Sequence, residues 1–136
     1  MITVDRGYLG RHFIAEFYKC SQVKINDPES VERIMTEAAR ISGATIIKPF
    51  FHSFSPQGVS GIIVISESHF AIHTWPEHSY AAVDLFSCSD FKYRDALKYI
   101  KDNFESDEYL VNVINRGLHA QASTSSYKIP AERITL

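Results

Sequence analysis

Apolar positions between Asp27 and Gly43 recur at the three- and four-residue spacing of one buried helix face. Asp27 is a suitable N-cap and Pro28 suits the first helical position. Gly43 suits the residue at which a helix stops. The pattern therefore predicts a helix between Asp27 and Gly43.

A second helix is predicted later in the chain, from about Asp90 to Phe104. Leu97, Ile100 and Phe104 follow the same spacing and should face inward. The remaining positions of this segment are mostly charged, which is typical of a solvated face.

Six other segments carry β-branched or aromatic residues, several of them at the two-residue period of a strand. They lie near 12–19, 44–54, 61–66, 69–76, 80–88 and 108–114. Consecutive strands joined by short turns pair antiparallel, so the order predicts an α+β fold, a two-layer sandwich of an antiparallel sheet with two helices on one face. The other sheet face has no cover within the chain, so we expect a homodimer.

Length and charge narrow the possible functions. The chain of 136 residues fits a single domain, 1–136, with a core of its own. Its 14 basic and 16 acidic residues give a net charge of −2, which argues against nucleic acid or an anionic membrane as a partner. No apolar run approaches the roughly 18 residues of a membrane helix and no signal core is visible, so we expect a cytoplasmic protein. The tail after Gly117 is expected to be loosely ordered.

The stretch VISESHFAIHTWPE, residues 64–77, crowds polar residues beside a predicted core strand. Ser66, Glu67 and Ser68 fall at the turn between two strands. On the second strand His69, Ala71, His73 and Trp75 share one face, because side chains alternate along a strand. This polar face is a candidate site.

The residues alone leave several interpretations of this stretch open. A metal site would draw on His52, His69, His73, His78 and Cys88. No zinc-family spacing links them and no CxxC pair is present, so no metal is expected and each cysteine is expected to be a free thiol. A serine hydrolase would need an elbow such as GxSxG, which SESHF is not. In the structural interpretation Ser68 is a turn residue and His73 and Trp75 pack in the core.

The longer segment GVSGIIVISESHFAIHTWPEHSYAAVDLFSC resembles the centre of the prokaryotic pyruvoyl-dependent S-adenosylmethionine decarboxylase proenzymes, with their SESH turn, IHTWPE, YAAVD and cysteine. LGRHFIAEFY, AARISGATII and FHSFSPQGVSG extend the resemblance over most of positions 9–90. His12 and Glu16 lie in the first of these segments, and the resemblance gives them no role.

The resemblance implies that the chain cuts itself between Glu67 and Ser68, giving chains of 1–67 and 68–136. Ser68 then becomes a pyruvoyl group at the new N-terminus, so that no separate cofactor is needed. His73 matches the processing base, and Ser60 matches a serine that assists cleavage.

For the mature enzyme, the resemblance implies that the pyruvoyl group forms a Schiff base with S-adenosylmethionine and releases CO2. The product would be the aminopropyl donor for spermidine synthesis. Cys88 matches the proton donor, Phe54 and Trp75 match rings that flank the adenine, and Glu77 matches the acid that binds the ribose. Active-site residues of this family are expected to come from two subunits.

Two departures from the family pattern concern the substrate. Ser89 and Asp90 follow Cys88 where a glycine is usual, and Ser79 replaces another glycine. Members of this family that decarboxylate arginine, or a related amino acid such as ornithine, are therefore the alternative. A non-catalytic binding homologue is a further alternative, and the presence of all four processing and catalytic residues argues against it.

Overall fold

Six strands, three α-helices and one 3₁₀ turn are present in residues 7–117, the part of the chain that the structure, a computed structural model, describes. The predicted loose tail lies outside these residues. The elements are β1 (Gly10–Tyr18), α1 (Gln22–Asn26), α2 (Pro28–Ile41), β2 (Ile46–Ser53), β3 (Val59–Ile65), β4 (Ser68–Trp75), the 3₁₀ turn (Pro76–His78), β5 (Tyr80–Ser87), α3 (Tyr93–Asn103) and β6 (Glu108–Arg116).

All strands belong to one antiparallel sheet with the order β2-β3-β4-β5-β1-β6. β2 to β5 follow one another as a meander, and β1 lies between β5 and β6. The buried faces of the helices and one face of the sheet form a single hydrophobic core. The predicted α+β sandwich with helices on one face is confirmed.

Helix α2 forms as its sequence predicts. The Asp27 side chain accepts a hydrogen bond from the Glu29 N–H at 3.2 Å, and Pro28 occupies the first turn. After the helix Gly43 has a φ of +89°, a left-handed conformation that glycine adopts without steric penalty. The residues that the spacing placed on the inner face are buried, namely Val31, Ile34, Met35, Ala38 and Ala39.

The sequence pattern missed α1 and placed the start of α3 too early. Helix α1 has only five residues, too few to show a helical period, and it is capped by the Ser21 hydroxyl. Helix α3 begins at Tyr93 instead of Asp90, and its inward residues are buried as predicted. Among residues 7–117 no helix is both long and apolar enough to cross a membrane.

Helix α1 fixes the strand ends that carry part of the candidate site. Thr74 is 1% exposed, donates its hydroxyl proton to the Ile25 carbonyl at 2.8 Å and accepts from the Val59 N–H at 2.9 Å. The Asn26 side chain accepts from the Gly58 N–H at 2.9 Å. Each such bond stabilises the fold by about 1 kcal/mol, and more is lost when a buried partner is left unpaired. The start of β3 and the end of β4 are thereby held together.

The sheet face opposite the helices is not covered by residues 7–117. Its side chains include His69, His73 and Trp75 of β4, as the alternation predicts. It also carries large apolar side chains that are 41% to 63% exposed, namely Phe50, Ile62, Val64 and Leu110. We call this surface the open face. Apolar groups at this exposure are typical of a surface that another molecule covers.

Candidate active site

The turn between β3 and β4 holds the peptide bond that joins Glu67 to Ser68. The Ser66 N–H donates to the Thr45 carbonyl at 2.9 Å, and the Thr45 N–H donates to the Glu67 carboxylate at 3.3 Å. These bonds tie the turn to the chain that enters β2. Glu67 and Ser68 are both half-buried, and their peptide bond lies at the rim of the sheet.

The carbonyl of Glu67 accepts a hydrogen bond from the Cys88 N–H at 3.1 Å. Ser68 pairs with Ser87 on β5, which brings Cys88 to the same end of the sheet. The Cys88 side chain is exposed. An N–H that points at a carbonyl oxygen draws electrons from the carbonyl carbon and stabilises negative charge on the oxygen.

The hydroxyl of Ser68 lies 3.2 Å from Nδ1 of His69. The His69 ring is 5.7 Å from the Phe86 ring and 6.3 Å from the His12 ring, between centroids. Glu67, Ser68, His69 and Cys88 form what we call the Ser68 end of the site.

Burial is the main cause that lowers the pKa of His69 below its ordinary value. The positive charge that His12 and Arg116 would place nearby lowers it further, and Asp84 opposes them. The His69 imidazole is therefore neutral at pH 7 and is available to accept a hydrogen bond.

The opposite end of β4 carries a second group of residues. The Ser60 hydroxyl is hydrogen-bonded to Nδ1 of His73. The His73 ring meets Trp75 edge-on at 4.1 Å and lies 5.9 Å from the Phe54 ring. Glu77 is exposed on the 3₁₀ turn that follows Trp75. We call these five residues the His73 end.

The two ends are well separated within one chain. Ser68 and His73 are five positions apart on β4, which places their Cα atoms roughly 16 Å from each other at about 3.3 Å per residue. The structure thus brings Glu67, Ser68 and Cys88 together, and separately Ser60, His73 and the aromatic residues. It does not bring the two groups into contact within one protomer.

Tyr80 and Glu16 support the His73 end, although no role for them is predicted from the sequence. Tyr80 pairs with Trp75 across the β4–β5 connection and stacks on its ring at 5.3 Å. It donates its hydroxyl proton to Glu16, and burial together with this carboxylate raises the pKa of Tyr80. Tyr80 is therefore a neutral donor that holds Trp75 in place. A signal was available, since the adjacent strands of a hairpin pair their nearest residues.

Two alternative interpretations of this stretch concern a metal site and a serine hydrolase. His69 and His73 share a face but lie far apart along the strand, and residues 7–117 contain no group of three His, Cys, Asp or Glu side chains that could hold a metal ion. Ser68 follows a strand-to-strand turn and not the strand-to-helix elbow of an α/β-hydrolase.

The two thiols of the chain differ in exposure, which gives a first prediction. Cys20 is 4% exposed and donates its S–H to the Phe17 carbonyl at 3.6 Å, and burial raises its pKa to about 11. Because the thiolate is the reactive form, only Cys88 should react with a disulfide reagent such as DTNB in the folded protein. One thiol should titrate before unfolding and two in denaturant. The variant Cys88→Ala should show none before unfolding, and two fast thiols in the folded wild type would contradict the prediction.

Comparison with known proteins relates the chain to one family. The family model described as S-adenosylmethionine decarboxylase matches residues 11–117. The S-adenosylmethionine decarboxylase proenzyme of Moorella thermoacetica is 51% identical over 111 residues, 81% of this chain and 89% of its own. That of Clostridium tetani is 47% identical over 114 residues, 83% of this chain and 90% of its own. The crystal structure of the adenosylmethionine decarboxylase from Aquifex aeolicus VF5 has a TM-score of 0.76 at 31% identity, covering 87% of this chain and 98% of that one.

Proposed function

The chain belongs to the S-adenosylmethionine decarboxylase family, and we propose that it decarboxylates S-adenosylmethionine with a pyruvoyl group that it makes from its own Ser68. The relatives are named proenzymes, which supports formation of the active enzyme from a precursor chain. The single observation that carries the proposal is the Glu67–Ser68 peptide bond, whose carbonyl accepts the Cys88 N–H.

Cleavage begins when the Ser68 hydroxyl oxygen attacks the carbonyl carbon of Glu67. The resulting five-membered ring carries negative charge on the former carbonyl oxygen, which is the atom that accepts the Cys88 N–H. Breaking the carbon–nitrogen bond then gives an ester between Glu67 and Ser68. The anchored turn keeps the reacting atoms adjacent, which raises their effective concentration.

The second step removes the α-proton of Ser68 and expels the Glu67 carboxylate. The dehydroalanine that remains tautomerises to an imine, and water hydrolyses this imine to the pyruvoyl group and ammonia. His73 is the base for this step, and its hydrogen bond to Ser60 fixes its ring. The products are chains of 1–67 and 68–136, and the pairing of β3 with β4 keeps them in one folded unit.

The Ser68 position fits a pyruvoyl group, because it lies at the beginning of a strand, half-buried and beside an exposed cysteine. This group supplies a carbonyl that reacts with the substrate amine and draws electrons from the α-carbon as CO2 leaves. The thiol of Cys88 then returns a proton to that carbon. Its position at the Ser68 end supports this role.

The His73 end supports recognition of the nucleoside and the sulfonium. Phe54 is 43% exposed, and Trp75 is half-buried with Tyr80 stacked on its ring. An aromatic face attracts a sulfonium cation and stacks on an adenine. Glu77 is exposed next to Trp75 and accepts hydrogen bonds from the ribose hydroxyls.

A homodimer brings the two ends of the site together, although they lie far apart within one chain. A second copy packed on the open face covers the apolar side chains there. If the twofold axis runs across the strands, the Ser68 end of one protomer meets the His73 end of its partner, and the symmetry forms a second site of the same kind. Each active site then takes Ser68 and Cys88 from one protomer and His73 from the other.

The substrate is tested by CO2 release from carboxyl-labelled compounds. Cleaved protein is incubated in parallel with S-adenosylmethionine, arginine and ornithine. We expect release from S-adenosylmethionine alone, giving the aminopropyl donor for spermidine synthesis. Release from arginine or ornithine alone would overturn the choice of substrate and keep the pyruvoyl chemistry. A cleaved protein that releases CO2 from none of them would support the non-catalytic homologue.

A further inference from the structure

We propose that His69 takes the proton from the Ser68 hydroxyl in the first step of self-cleavage and returns it to the Ser68 nitrogen when the peptide bond breaks. The inference rests on the proposed function and adds a catalytic residue to it. A serine hydroxyl is a weak nucleophile until a base removes its proton. His69 is the base whose nitrogen lies within hydrogen-bond distance of that hydroxyl among residues 7–117.

The contact between Ser68 and His69 departs from regular strand geometry. Consecutive side chains of a strand point to opposite faces. Here the Ser68 oxygen nevertheless lies 3.2 Å from Nδ1 of His69, at the residue where the turn passes into β4. The turn therefore directs the hydroxyl toward the open face, where the imidazole lies. A serine with only a structural role in the strand would not require its hydroxyl to point at the imidazole.

The groups around His69 favour a neutral ring that can accept a proton. The side chains that face it are His12 on β1, Asp84 and Phe86 on β5, and Arg116 on β6. Arg116 lies over the Phe86 ring at 4.8 Å, and the carboxylate of Asp84 is 3.3 Å from His12. Asp84 therefore contacts His12 directly and acts on His69 from farther away.

The negative charge of Asp84 favours the protonated form of the His69 ring. As the Ser68 oxygen bonds to the Glu67 carbonyl carbon, its proton passes to Nδ1 of His69. The His69 imidazolium then gives this proton to the Ser68 nitrogen as the carbon–nitrogen bond breaks. That nitrogen becomes the free amine of Ser68. No proton is gained or lost overall, so the shift needs no group beyond this end of the site.

The two cleavage steps thus use different parts of the dimer. The first step draws on Ser68, His69 and the Cys88 N–H of one protomer. The second draws on the partner's His73. Loss of His73 should therefore let the ester accumulate, whereas loss of His69 should prevent the ester from forming.

The test uses His69→Asn, whose side-chain oxygen replaces Nδ1 as an acceptor without its basicity. The full chain is made by cell-free translation, so that cleavage is followed from the intact precursor. We expect cleavage to be slower by about 100-fold or more, the usual contribution of a general base. Hydroxylamine attacks esters, so it should split the His73→Ala chain, in which the ester accumulates. The chain that carries both His73→Ala and His69→Asn should resist hydroxylamine, because no ester forms in it.

The pH dependence separates proton transfer from mere positioning. Because the pKa of His69 is lowered, its neutral form persists at pH values below the ordinary pKa of histidine. Ester formation in the His73→Ala background should therefore fall only at a pH below that ordinary pKa. Adding imidazole to His69→Ala should partly restore cleavage. His78→Asn, which removes an exposed imidazole beyond the other end of β4, serves as the matched control and should cleave normally.

Three outcomes distinguish failure of the inference from failure of the proposed function. If the wild-type chain is cut and His69→Asn is cut at the same rate, the role of His69 is wrong. Detection of a hydroxylamine-sensitive ester in the chain carrying both His73→Ala and His69→Asn would also show that the role of His69 is wrong. If the wild-type chain itself is never cut, the proposed function fails. Thermal melting of each variant is compared with that of Ser68→Ala, which is also uncut. The comparison shows whether a variant that is cleaved slowly is folded.

Discussion

Ser68→Ala is expected to remain one uncut chain without decarboxylase activity, whereas the wild type separates into chains of 1–67 and 68–136. In the proposed mechanism the Ser68 hydroxyl opens the peptide bond and leaves with the Glu67 carboxylate, and this loss lets the Ser68 α-carbon become the pyruvoyl carbonyl, so no other group substitutes for it. Intact-mass spectrometry measures the cut, and labelled CO2 measures the activity. The chain of 68–136 should also resist Edman degradation, because a pyruvoyl terminus has no amine.

Cys88→Ala provides the matched comparison for this first prediction. It keeps the backbone N–H that contacts the Glu67 carbonyl and removes only the thiol. This variant should still be cut, with turnover impaired much more than cleavage, because the proton donor to the α-carbon is missing. A wild-type chain that stays whole on prolonged incubation would sink the pyruvoyl mechanism, whatever the variants do.

Co-expression of Ser68→Ala with His73→Ala is expected to restore a cut that neither variant makes alone. In the proposed dimer the His73→Ala chain contributes Ser68, and the Ser68→Ala chain contributes the intact His73. One complete site therefore forms in each mixed dimer, while the other lacks both residues. The effect is all or none, because roughly 16 Å is too far for His73 to reach Ser68 in its own chain.

Two affinity tags allow mixed dimers to be purified and each chain to be weighed separately. We expect the His73→Ala chain to be cut and the Ser68→Ala chain to stay whole. The control pairs His73→Ala with a chain carrying both substitutions, and it should show no complete cleavage. If the His73→Ala chain stays uncut in mixed dimers while wild-type dimers are cut, shared sites are excluded.

Much of the fold could be predicted because local sequence determines it. The cap at Asp27, the turn at Gly43 and the apolar spacing between them each favour α2, and the structure forms that helix. The strands could be predicted from the alternation of their side chains. The uncovered sheet face could be predicted because both predicted helices lie on the other face. Helix α1 could not be predicted, since it depends on the contacts of its five residues with the ends of β3 and β4.

The candidate site was predictable as a set of residues but not as an arrangement. The family resemblance identified Ser68, His73 and Cys88 as candidates, and strand period placed His73 with Trp75 on one face, as the structure has them. The contact between Cys88 N–H and the Glu67 carbonyl needs the β4–β5 register, which joins residues about 20 positions apart.

The sequence by itself determined the family, the α+β class with its elements except helix α1 and, through the family resemblance, the set of candidate residues, because these depend on the order of residues along the chain. Only the tertiary structure decided which of those residues meet. It separated Ser68 from His73 along one rigid strand and aimed the Ser68 hydroxyl at His69. The physical reason is that an extended strand fixes distance and alternation, whereas strand pairing and turn geometry, which are nonlocal, decide what lies across from each residue.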